Sequence, residues 1–170
     1  MKNGKIGVWL ISMLMMVGFV CAAPNHVLIS RVLYDPVGTE TGGEAVEIYN
    51  PTSQSIDISE CIIKTKSSAV DATIPANTSL APESFYLIAD AGWSVGKDNS
   101  SWSDADHEEA LTLTNTNGGV AVVKNGTIID SIGWGDASLI GQDLFVALDF
   151  RISFFIACFN TKQTLKFYKL

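Results

Sequence analysis

Short apolar runs, cut at regular intervals by turn residues, dominate the chain from residue 27 onward. They lie at 27–34 (VLISRVLY), 45–50 (AVEIYN), 55–65 (SIDISECIIKT), 84–90 (SFYLIAD), 110–114 (ALTLT), 119–124 (GVAVVK) and 127–133 (TIIDSIG). Asp-Pro, Asn-Pro-Thr, Ile-Pro-Ala-Asn and Asn-Gly separate them. A period of two sends successive side chains to opposite faces, which suits a half-buried strand and defeats an amphipathic helix. No 3.6-residue period competes with it in this part of the chain, so the expectation is an all-β sandwich. With 170 residues there is room for one such domain and its core.

Two stretches say how the strands should be set. In GGEAVEIYNPTSQSIDIS (42–59) the alternation puts Val46 and Ile48 on one face and Ala45, Glu47 and Tyr49 on the other. After the turn at Asn50, Pro51 and Thr52, Ile56 and Ile58 face the core and Asp57 points out. The stretch reads as a hairpin whose register is pinned by its buried face. The run 55–65 is expected to bend or bulge near Ser59 and Glu60. Asn125-Gly126, between two apolar runs, reads as a type I′ hairpin turn, since both residues tolerate positive φ.

The front of the chain speaks to compartment. Lys2 and Lys5 precede the apolar stretch GVWLISMLMMVGFV, which runs into CAAP. That order is a secretory signal, so residues 1–22 are expected to form a signal-peptide helix cut after Ala22, with Val20 and Ala22 at the −3 and −1 positions. Pro24 argues against cleavage after Ala23, and Val20 is a poor residue to precede a lipidated Cys21. Left uncut, residues 7–23 are just long enough to anchor the chain in a membrane by tilting or thinning it. Every version predicts export, secreted or held at the cell surface. Removing Lys2 and Lys5 takes the net charge from −7 to −9. So acidic a chain repels phosphate backbones, which argues against nucleic acid as a partner. Lys64 and Lys66 alternate on a strand and read as a solvated face. Cys61 and Cys158 remain after cleavage, either as one bridge or as two buried small hydrophobes. Asn77, Asn99 and Asn125 each begin an N-x-Ser/Thr triplet and each also reads as a turn.

The run GGEAVEIYNPTSQSIDIS followed by CIIK, then TIPANTSLAPESFYLIAD, then LTLTNTNGGVAVVKNGTIIDSIGWGD, resembles the lamin tail domain family. The likeness covers about residues 27–136. It implies an immunoglobulin-like β-sandwich and, with the export signal, the exported prokaryotic branch of the family. It also implies a non-catalytic module for protein binding or scaffolding, with a protein or cell-surface polymer as partner. Three features depart from the family pattern. Glu60-Cys61 stands where a Gly-Trp pair is common, which removes an indole from the core. Arg31 stands where an acid is usual. After Gly141 there is no Gly or Pro, and six of the eight Phe residues fall in 145–167. Residues 137–170 are thus an atypical aromatic-rich ending, read as closing strands with LDFRISF (148–154) first and TLKFYKL (164–170) after it. A frame-shifted gene end is the other explanation. Self-association through an edge strand or this aromatic ending is a further expectation.

Residues 89–109, with DAGWSVGKDNSSWSDADHEE at their heart, form a loop too long for a simple connection. Trp93 and Trp102 could stack on sugar rings or enter a partner. The plainer reading folds both back as a lid over the sandwich. Asp98, Asp104, Asp106 and Glu108, with Glu109 beside them, offer oxygens to calcium, although the EF-hand pattern is missing; the plainer reading is a solvated acidic loop. An adhesion module dependent on calcium or carbohydrate is therefore the alternative function. The weakest is a small exported hydrolase with His107 as base. No Gly-x-Ser-x-Gly elbow, reactive-Cys signature or Cys/His zinc cluster accompanies it, so no catalytic residue is assigned and no cofactor beyond calcium is considered.

Overall fold

The computed structural model describes residues 24–140 and residue 144. The signal segment with Cys21, Cys158, and the expected strands at 148–154 and 164–170 lie outside the described residues.

Among the described residues ten strands follow in order: β1 (Leu28–Leu33), β2 (Ala45–Tyr49), β3 (Ile56–Asp57), β4 (Ile62–Thr65), β5 (Ala72–Thr73), β6 (Ser79–Leu80), β7 (Phe85–Ala89), β8 (His107–Glu108), β9 (Gly118–Lys124) and β10 (Thr127–Trp134). One sheet runs β1-β2-β7-β8 and the other β10-β9-β4-β5, while β3 and β6 pair by themselves. Pairing is antiparallel except between β7 and β8. The architecture is an all-β sandwich of immunoglobulin type, with a single helical turn at Trp93–Gly96 and a 3₁₀ turn at Ala137–Leu139. Among the described residues no helix is long and apolar enough to cross a membrane.

The period-two pattern builds the core. Val46 and Ile48 of β2, Ile63 of β4, Ile88 of β7, and Val120 and Val122 of β9 all have no exposed surface. Burying each such side chain contributes about 1.5–3 kcal/mol relative to leaving it in water. Ile58 is equally buried and Asp57 exposed, as the alternation requires. Strand β9 is covered on both faces: Gly119 and Ala121 point away from the main core and lie beneath Ile140 and Leu144. The hairpin of β9 and β10 turns on Asn125 (φ 52°) and Gly126 (φ 76°), both in the left-handed region that a type I′ turn needs.

Two expectations are corrected. Strands β2 and β3 do not form a hairpin: β2 lies between β1 and β7, and β3 pairs with β6. The chain instead leaves one sheet at Asn50, which is fully buried. Its amide donates to the carbonyls of Gln54, Leu80 and Ala81, and its Oδ1 accepts from Thr52 N–H and Oγ1. The predicted strand at 110–114 pairs with no other strand, because its N–H groups go to carboxylates. The run 55–65 does break where expected: Glu60 has φ 57° and separates β3 from β4.

The departures from the family pattern have local consequences. Arg31 sits directly across from Glu47 and pairs with it at 3.2 Å. The same carboxylate accepts from Ser30 Oγ at 2.6 Å. Glu47 is therefore a structural acid on the strand pair. Cys61 is buried in the main core, where burial pushes its thiol pKa up.

Candidate functional site

The long loop after β7 is folded down onto the outer face of the first sheet. That face presents Leu33, Ala45, Leu87 and Ala89 to the loop. Trp93 covers them, with Trp102 and Ala105 packed around it. Gly92 (φ 95°) and a single helical turn aim the indole inward. Trp93 is 3% exposed, donates from Nε1 to Ser103 O at 2.9 Å, and stacks on Trp102 at 6.0 Å between ring centroids. Lys97 locks the far side, donating to Trp102 O and to Asp104. Both tryptophans thus serve as a lid on this face, and Trp93 offers no free ring for a sugar.

The acids assigned to calcium are not brought together. Asp98 accepts from the N–H groups of Val37 and Gly38 at 2.8 and 2.7 Å. Asp104 meets Lys97, Asp106 accepts from Leu87 N–H, and Glu108 accepts from Gly92 N–H. The four carboxylates go to four separate sets of partners. Among the described residues no group of three or more His, Cys, Asp or Glu side chains could hold a metal ion. His107 lies on β8 against β7 and meets Glu109 at 3.2 Å, and that carboxylate also accepts from Thr73 N–H.

Carboxylates take the place of a neighbouring strand in residues 110–114. Leu111 N–H donates to Asp90, Thr112 N–H to Asp71 and Leu113 N–H to Glu44, at 3.1, 3.1 and 2.9 Å. Asp90 also accepts from Gly42 N–H and Ala91 N–H, so it joins three segments at one point. Glu44 is 4% exposed, and burial pushes its pKa up to about 7 despite the Leu113 bond. Sequence reasoning missed Glu44, Asp71 and Asp90 because their partners are distant in the chain. The available signal was an unexplained acid at each end of an apolar strand: Glu44 before β2 and Asp90 after β7.

The match to a known family settles the assignment. The family profile described as Lamin Tail Domain matches residues 21–136, more than half of the chain. The chain belongs to the lamin tail domain family. These are immunoglobulin-like, non-catalytic domains. A search among curated proteins returned no match.

In this lamin tail domain the segment between β1 and β2 and the loop after β7 are clamped into one end. Asp98 ties the second loop to Val37 and Gly38. Gly42 (φ 78°) packs so closely on Gly92 that an added Cβ would come within 2.9 Å of its carbonyl oxygen. On this fixed framework Val37 and Val95 remain 68% and 90% exposed. Asp35, Glu40, Asp98, Asp104, Asp106 and Glu108 belong to the same two segments, and the lysine among them, Lys97, is buried and paired with Asp104.

Proposed function

We propose that this lamin tail domain is an exported, non-catalytic binding or scaffolding module that engages a protein or cell-surface polymer through its clamped loop end. The observation that carries the reading is the pair of exposed valines held on loops that are already ordered. Apolar side chains on a pre-organised framework contribute contact area without the entropy cost of ordering the loops at each encounter. The acidic surround favours a partner that is neutral or cationic and disfavours nucleic acid. The order of Lys2, Lys5, the apolar stretch and Ala22 supports export.

Binding of the labelled domain to isolated cell-envelope material tests this. Saturable binding that weakens about tenfold or more in a Val37→Asp, Val95→Asp double variant, with an unchanged dichroism spectrum, is the expected result. Saturable binding that is the same in the double variant would discard this surface. N-terminal sequencing of the secreted protein should begin at Ala23. Recovery of the uncut chain from the soluble cell interior would overturn the export reading.

A further inference from the structure

We propose that Glu44 is a proton-operated latch: its protonated carboxyl holds residues 110–114 against the sandwich, and loss of the proton loosens that segment.

The geometry is that of a strand docked without a ladder. Leu111, Thr112 and Leu113 present three consecutive N–H groups, and each finds a carboxyl group: Asp90, Asp71 and Glu44. Leu111 and Leu113 are buried beneath the segment, so it forms part of the core wall. Glu44 uses only one oxygen in this arrangement. Oε2 accepts from Leu113, whereas Oε1 is buried and has no hydrogen-bond partner among the described residues. A buried carboxylate with one oxygen unsatisfied is costly, and a neutral carboxyl in the same place is far less so.

The charged groups that face Glu44 sharpen the effect. They are Glu40 from the preceding loop, Asp90 from the end of β7 and Asp71 from the approach to β5, and all three oppose its ionisation. Desolvation outweighs the Leu113 hydrogen bond, which by itself favours the ionised form, and with these neighbours raises the pKa to about 7. The sign follows. The unfolded carboxyl releases its proton near the ordinary value of 4.5, while the folded one keeps it to about 7. The hold on the segment is complete below the lower value and is lost as pH rises through the upper one. Release acts on the loop end because residues 110–114 follow directly on β8 and Glu109, and Asp90 binds Gly42, Ala91 and Leu111 at once. The latch needs no partner, so it stands or falls apart from the binding role.

Amide hydrogen exchange of the intact domain, corrected for intrinsic rates, tests it with Val122 in the core as the internal reference. The protection of Leu113 relative to Val122 should fall about tenfold between about pH 6 and about pH 8. Glu44→Gln, which keeps an acceptor for Leu113 N–H, should leave that ratio flat. Asp71→Asn should leave the fall in place. A flat ratio in the wild type, or a fall that survives in Glu44→Gln, would overturn the latch. So would a fall abolished by Asp71→Asn alone. If Glu44→Gln fails to fold, the carbon-13 shift of the Glu44 carboxyl decides. A midpoint near neutrality supports the proposal, and an ordinary carboxylate midpoint overturns it.

Discussion

The side-chain amide of Asn50 donates to the backbone carbonyls of Leu80 and Ala81, both at 3.0 Å, thirty residues or so along the chain. One buried amide thereby fixes where the chain leaves the first sheet and where it re-enters it at β7. Together with Gln54 O and Thr52, every hydrogen-bonding direction of the group is used.

Asn50→Ala should therefore cost about 2–4 kcal/mol, since it strands buried carbonyls and a backbone N–H. Asn50→Asp should be at least as damaging, because a second acceptor oxygen would replace the donor and face three carbonyls. Urea unfolding midpoints give the answer. A loss below about 0.5 kcal/mol in both variants would show that the loop holds itself without this residue.

Glu60 is exposed and carries φ 57° between β3 and β4. A side chain in the left-handed region costs about 1–2 kcal/mol, and glycine avoids that at a smaller entropy cost in the unfolded chain. Glu60→Gly should raise stability by about 0.5–1 kcal/mol, seen as a higher melting temperature. A lower melting temperature would mean that the glutamate side chain contributes more than its backbone costs.

Asp130 accepts from Ile29 N–H at 2.7 Å and so ties β10 to β1 across the open side of the sandwich. Burial pushes its pKa from 3.8 to about 6. The folded protein thus keeps a proton that the unfolded chain has already released. Stability from this group is complete below about pH 4 and is lost as pH rises through about 6, by about 2–3 kcal/mol in all. Asp130→Asn should remove most of this fall. Unfolding midpoints between about pH 4 and about pH 7 would check it, and a wild type that gains stability over that range would refute it.

Gly118 begins β9 against the indole of Trp134, which stacks on Tyr34 at 4.5 Å and donates to Thr114 O. A Cβ on Gly118 would come within 2.5 Å of Trp134 Cζ2 and would also strike Thr114 Oγ1. Gly118→Ala should cost about 1–3 kcal/mol and alter the near-ultraviolet dichroism of the tryptophan. An unchanged spectrum and midpoint would mean that the ring has room to shift.

The longer strands were legible because their signal is local. Val46 and Ile48, or Val120 and Val122, announce a buried face within a few residues, and Asn125-Gly126 announces its turn within two. Strands β5, β6 and β8 leave no such mark in the sequence because two residues are too few to show a period. Residues 110–114 alternate like a strand, with Leu111 and Leu113 buried, and so read as one. What distinguishes them is the destination of their N–H groups, and that is not written in the alternation.

The loop end was the least legible part. Its composition identified Trp93, Trp102 and the acids as unusual, but not their orientation. Trp93 turned inward because Ala45, Leu87 and Ala89 leave a shallow apolar surface that only a large ring can cover. The acids dispersed because Asp98, Asp106 and Glu108 answer backbone N–H groups in different places, while Asp104 answers Lys97.

The order of residues alone determined that this chain is a two-layer β domain, since a period of two permits few other ways to bury its valines and isoleucines. Only the tertiary structure decided which strands are neighbours, where Asn50 carries the chain between sheets, and which carboxylates replace a missing ladder. Those outcomes depend on groups such as Glu44 and Leu113, 69 residues apart, meeting in a water-poor interior. Hydrogen-bond satisfaction there is a property of the folded whole, and no short stretch of the chain contains it.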